Sequence, residues 1–154
     1  MAKPKIHTFA ELKASGYLPK SIKEEMRENL ISSISKKDNR FPGIQGFEDT
    51  VIPELESAIL SKHNILFLGL RGQAKTKMAR LMTDLLDEYI PIVAGSDLQD
   101  DPFQPLSRYA IDLLKEKGDD TPIDWLHKSE RYSEKLATPD VSVADLIGDI
   151  DPIK

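Results

Sequence analysis

Lys75 and Thr76 follow a turn containing Gly69 and Gly72, in the order Gly69-Leu70-Arg71-Gly72-Gln73-Ala74-Lys75-Thr76. That combination suits the holding of a phosphate chain. Successive backbone N–H groups must turn inward around an anion, which demands small residues at the tightest points. A helix must begin there, so that its unpaired N–H groups face the phosphates. A lysine must reach the β/γ-phosphates, and a hydroxyl must reach Mg²⁺. Gly69 and Gly72 supply the turn, Lys75 and Thr76 the side chains, and the amides of Arg71, Gly72, Gln73, Ala74, Lys75 and Thr76 the cradle. Lys77, in the first turn of the helix, is placed with them. Ala74 is a departure, because glycine usually precedes the lysine. Alanine fits there with a small shift if its φ is negative, and costs about 1–2 kcal/mol if φ is positive. Charge-assisted hydrogen bonds contribute about 1.5–3 kcal/mol each, so several converging donors outweigh that cost.

Other chemistries have less to stand on. The chain has no cysteine, which rules out disulfides and thiolate catalysis or metal ligation. His7, His63 and His127 are far apart and form no ligand pair at helical spacing. Asp97, Asp100 and Asp101 are the nearby acidic candidates for the base that a kinase-like phosphoryl transfer would need. Hydrophobic residues make up 40% and charged residues 31%, a balance that fits a folded globular protein. No apolar run approaches the ~20 residues of a bilayer span, and a cytoplasmic location with no membrane partner is the expectation. Residues 1–40 hold nine Lys/Arg against five Asp/Glu, while residues 41–154 hold twelve against twenty-one. No aromatic residues interleave the basic ones, so a solvated helix is expected rather than a nucleic-acid surface.

The elements that must position the loop follow from periodicity and breakers. Residues 1–20 read as a lead-in with a short turn around Phe9–Ala14. Ser21 with Glu24 opens a helix whose apolar face is Ile22, Met26, Leu30, Ile31 and Ile34. A breaker cluster, "KKDNRFPGIQG", ends it, and a domain boundary is set near Arg40. Val51, Ile52, Leu55, Ala58 and Ile59 predict a second helix, with Pro53 in its first turn. Ile65–Leu68 is an unbroken apolar run, read as a parallel strand buried on both faces. A long helix is predicted from the stripe Met78, Leu81, Met82, Leu85, Leu86, Tyr89 and Ile90. "IPIV" at 90–93 reads as a second strand, Leu106–Lys117 as a helix stopped by Gly118, and Thr121-Pro122 as the start of a helix reaching Leu136. Weak alternation around Val141, Val143 and Ile147 suggests a strand or hairpin. The order strand, loop, helix, strand points to an α/β layer arrangement.

"FPGIQGFEDTVIPELESAIL" ahead of "NILFLGLRGQAKT" resembles the opening of magnesium-chelatase-type AAA+ ATPases, close to the MoxR branch. "IPIVAGSDLQDDPFQPLSRYA" and "YSEKLATPDVSVADLIGDIDPIK" are similar to later segments of that group. The resemblance covers 41–154 and implies a P-loop nucleotide-binding core with a parallel sheet, preceded here by a helical extension at 1–40. It implies ATP and Mg²⁺ as cofactors, with Thr76 on the metal, and adenine lying against Ile44, Gln45 and Gly46. Assembly into a homo-oligomeric ring and an unknown protein partner are implied as well, with a projecting hairpin around Ala137–Ile150. Hydrolysis in this family also needs an apolar strand ending in Asp-Glu. No such strand is present; Asp149 and Asp151 read as turn residues. The chain is therefore expected to be the N-terminal part of a longer protein, inactive alone. The intact protein would hydrolyse ATP for remodelling or to assist metal insertion. The competing reading is a non-hydrolysing interaction module with a degenerate loop.

Overall fold

In the computed structural model, residues 3–38, 41–136 and 140–148 are described. The chain is mixed helix and strand. Its helices are α1 (Phe9–Ala14), α2 (Ile22–Lys36), α3 (Val51–Leu60), α4 (Lys75–Leu81), α5 (Arg108–Lys117) and α6 (Ala144–Ile147). Strands β1 (Tyr89–Val93) and β2 (Ile123–His127) pair antiparallel, with Tyr89 opposite His127 and Val93 opposite Ile123. Among the described residues no helix is long and apolar enough to cross a membrane.

The helix starts follow local side-chain chemistry. Thr8 and Glu11 form a reciprocal capping box on α1. Ser21 accepts from the Glu24 N–H to open α2, and Ser107 accepts from the Ala110 N–H to open α5. Apolar burial then gathers α2, α3 and α4 around one cluster of Leu30, Phe41, Ile44, Leu55, Ile59, Met78 and Leu85. The β1–β2 pair carries further buried residues, among them Val93, Ile123 and Leu126, while Leu12 of α1 and Ala110 of α5 are buried as well. The lead-in is tied to this pair. His7 accepts from the Ile123 N–H at 2.9 Å, and Ile6 accepts from the indole N–H of Trp125 at 2.9 Å.

Several expectations need correction. The sheet seen is antiparallel, and Ile65–Leu68 is not a strand buried on both faces. It lies outside any helix or strand and has no ladder partner among the described residues. Ile65 and Phe67 pack on the core, while Leu66 and Leu68 are 79% and 83% exposed. The long helix stops early. α4 passes into a 3₁₀ turn at Met82–Leu85, and Leu86 is extended. There the Asn29 side-chain amide donates to the Leu85 carbonyl, and Glu25 accepts from the Asp87 N–H, so tertiary partners take the groups a longer helix would need. Tyr89 and Ile90 go into β1 instead.

Residues 123–127 form β2 rather than part of a helix, since a waiting edge on β1 outweighs local propensity. On α2, only Leu30 of the expected apolar face is fully buried, and Ile22, Ile31 and Ile34 stay exposed. The described part of the tail, 140–148, holds the single turn α6 in place of a strand. Ala137 and the rest of the proposed hairpin's ends, with Asp149 and Asp151, lie outside the described residues.

Candidate functional site

The loop from Gly69 to Thr76 is built around three residues with positive φ. Gly69 sits at φ 154° and Gly72 at φ 83°. Ala74 sits at φ 53°, in the left-handed region and immediately before α4. This is the costly branch for an alanine, about 1–2 kcal/mol. Partial burial against the core cluster fixes its methyl group. A side chain at Gly69 would have to displace the tip of Gln73. A Cβ there would lie 2.2 Å from Oε1 of Gln73, which folds back to accept from the Leu70 N–H at 2.9 Å.

Lys75 lies over this turn. Its Nζ donates to the Gly69 carbonyl at 3.0 Å and to the Leu70 carbonyl. Among the described residues it forms no ion pair, and neither do Arg71 and Lys77. Lys75 therefore rests on the turn without a carboxylate to neutralise it among the described residues. The first helical N–H with a partner is that of Met78, given to the Ala74 carbonyl at 2.9 Å. The N–H groups of Ala74, Lys75, Thr76 and Lys77 have no acceptor among the described residues, as at any helix start that lacks a capping side chain. Thr76 is exposed beside them. An anion is what such a set of donors lacks. The residues present thus fit a phosphate group, with the ammonium of Lys75 already at the turn.

The other expected site residues divide. Lys77 points away from the turn and donates to the Gly43 carbonyl at 2.6 Å, tying the 41–46 segment to α4. Ile44 is buried in the core cluster that also contains Met78, whereas Gln45 and Gly46 are exposed. The structure therefore brings "FPGIQG" next to the helix after the loop, with two of its three expected adenine residues open to solvent. Asp100 and Asp101 organise their own loop. Asp100 is buried and accepts from the N–H groups of Leu106 at 2.6 Å and Ser107 at 2.8 Å, and from the Ser96 hydroxyl. Burial alone would raise its carboxyl; hydrogen bonds from Ser107, Ser96 and Leu106 outweigh this and hold it well below the usual range. Asp101 accepts from the Phe103 N–H at 2.8 Å. A carboxylate committed in this way is a turn former, not a free base.

Sequence reasoning missed the buried pair of Glu25 and Arg131, joined by two hydrogen bonds of 2.6 Å across 106 residues of chain. The Glu25 carboxylate holds the Arg131 guanidinium above its ordinary range. No spacing rule could have found it. Comparison with family models, with curated proteins and with solved structures gives no match.

Proposed function

We propose that this chain binds the phosphate chain of ATP at Gly69–Thr76, as the nucleotide-binding part of a chelatase-like AAA+ ATPase. The observation that supports it most is the placement of Lys75. Its ammonium has no carboxylate partner among the described residues and rests on the carbonyls of the glycine turn, next to unpartnered helix amides. On binding, it would exchange those two carbonyls for phosphate oxygens. The amides of Arg71 to Thr76 would hold the remaining oxygens, and the Thr76 hydroxyl would meet Mg²⁺. Gln45 and Gly46 would lie along the base. Bound Mg·ATP supplies a transferable phosphoryl group; this chain's own residues orient it and offset its charge. Ile65–Leu68 would be the strand leading into the site in a parallel core. Ring assembly, hydrolysis and work on a partner protein or metal belong to the intact protein in this reading.

Isothermal titration of the chain with Mg·ATP, beside Lys75→Ala, tests the proposal. Micromolar binding that weakens at least tenfold in the variant is expected; equal, negligible heat in both removes it. The second reading, an interaction module, is favoured by a different observation, the bare Leu66, Leu68 and Leu70.

A further inference from the structure

Apart from the phosphate loop, the fold leaves a cavity of about 430 Å³ between α2, the end of α3, α4 with the 3₁₀ turn after it, and the chain after β2. Neither Lys75 nor Thr76 lines it. Met26, Ile59, Phe67, Met82 and Leu86 make an apolar floor. Ile59 is buried in the core cluster, and Met26, Phe67 and Met82 pack against that cluster, so the fold holds the floor in place.

The charges that line it have one sign. Lys23, Lys62 and Arg131 contribute, with the imidazole of His63, and no aspartate or glutamate does. That runs against the chain as a whole, in which 26 acidic residues outnumber 21 Lys and Arg. Glu24 and Glu25 hold Lys62 and Arg131 from outside the lining. The side chains of Lys23, His63 and Asn64, all exposed at the cavity, have no partner among the described residues. Such a site selects its occupant. An apolar polypeptide segment would fill the floor and leave the cations unanswered, whereas a phosphate would answer the cations and leave the floor in water. A molecule with an apolar body and one anionic end satisfies both. The volume also falls within the range of small-molecule sites, about 300–1,000 Å³.

We propose that this cavity binds a free monocarboxylate with an alkyl chain, a fatty acid of medium length. The chain lies on Met26, Phe67 and Met82, and the carboxylate stays at the mouth beside Lys23 and His63. The Lys23 ammonium offsets its charge, while His63 and the Asn64 amide supply further N–H donors. Moving one CH₂ group from water into an apolar site multiplies affinity about fourfold, so the floor sets the strength of binding and the cations set the orientation.

Isothermal titration at neutral pH with octanoate, decanoate and dodecanoate, each below its micelle concentration, tests the proposal. Affinity should rise at least twofold per added CH₂ and reach the micromolar range with dodecanoate. Dodecyltrimethylammonium, with the same chain and the opposite charge, should bind at least tenfold more weakly. Lys23→Glu should weaken dodecanoate binding at least fivefold without changing the circular dichroism, because the residue is exposed. Met82→Trp and, separately, Ala79→Leu narrow the cavity from two positions in its lining, and each should weaken binding at least fivefold. No heat with dodecanoate, equal binding of the cationic detergent, an affinity flat with chain length, or one unmoved by Lys23→Glu or by both narrowing variants would each overturn the proposal. So would a dimer in sedimentation velocity that Ala79→Leu dissociates and dodecanoate does not, since a second copy would then be the occupant. Lys75→Ala should leave dodecanoate binding unchanged, which separates this test from the nucleotide reading.

Discussion

Replacing Arg131 with methionine removes one half of a buried ion pair and leaves the other in place. Arg131 and Glu25 have side chains only 8% and 3% exposed, and the guanidinium meets both carboxylate oxygens at 2.6 Å. After Arg131→Met, Glu25 keeps one partner among the described residues, the Asp87 N–H. A charge stranded in this way costs about 3–5 kcal/mol. For a folded chain that is a large part of a total stability of roughly 5–15 kcal/mol. Urea unfolding at neutral pH, followed through the single tryptophan, Trp125, reports the loss directly. The double variant Glu25→Leu/Arg131→Met removes both charges and should recover most of it, to within about 2 kcal/mol of the parent, because an apolar replacement of a buried pair is often neutral. A cost below about 1 kcal/mol for Arg131→Met would show that water reaches the carboxylate. A double variant as unstable as the single one would show that packing, not charge, is what the site supplies. Either result refutes the reasoning. The outcome matters beyond stability, since this pair joins α2 to the chain after β2 across the edge of the apolar cavity.

Three further outcomes follow from the geometry. Gly69→Ala should weaken Mg·ATP binding by calorimetry, because φ 154° is a conformation alanine rarely adopts and its Cβ, 2.2 Å from Oε1 of Gln73, would push that side chain off the Leu70 N–H. Asp100→Ala leaves the Leu106 and Ser107 amides without their carboxylate and should cost roughly 3 kcal/mol in urea unfolding at pH 7. The Asp100 carboxyl is held below its ordinary value of 3.8, so its contribution is complete above that pH and is lost as pH falls further; the parent and Asp100→Ala should converge in acid. Burial, with the carboxylates of Asp101, Glu25 and Asp87 nearby, pushes the Tyr17 phenol up to about 12. An ultraviolet phenolate titration should therefore show a late step that disappears in Tyr17→Phe. The same shift makes the fold lose stability as pH rises from 10 towards 12.

How much was legible beforehand depends on where each partner lies in the chain. Ser21 with Glu24 ahead of α2 and Gly118 behind α5 are signals read within one turn, and those helices form close to where periodicity placed them. β1 also lies almost where "IPIV" placed it. The glycine turn and the Lys75-Thr76 pair could be seen in the sequence, but the φ of Ala74 could not. That angle depends on how the loop is held between Gln73, Lys75 and the core. Leu86 to Ile90 kept a helical period and still turned into strand, because Glu25 and Asn29 on α2 take the backbone groups at that point. Thr121-Pro122 looked like a helix start, yet β1 and the lead-in residue His7 offered Ile123 and its neighbours a ladder instead.

By itself the sequence determined the local matters: which residues begin and end α2, α3 and α5, which small residues permit a tight turn before Lys75, and which side chains are available for an anion. Tertiary structure alone decided which apolar runs find a partner. A strand exists only when another edge supplies its hydrogen bonds. Ile65–Leu68, with the composition of a buried strand, therefore remains without a ladder partner among the described residues and half bare, whereas Ile123–His127 is drawn into a sheet.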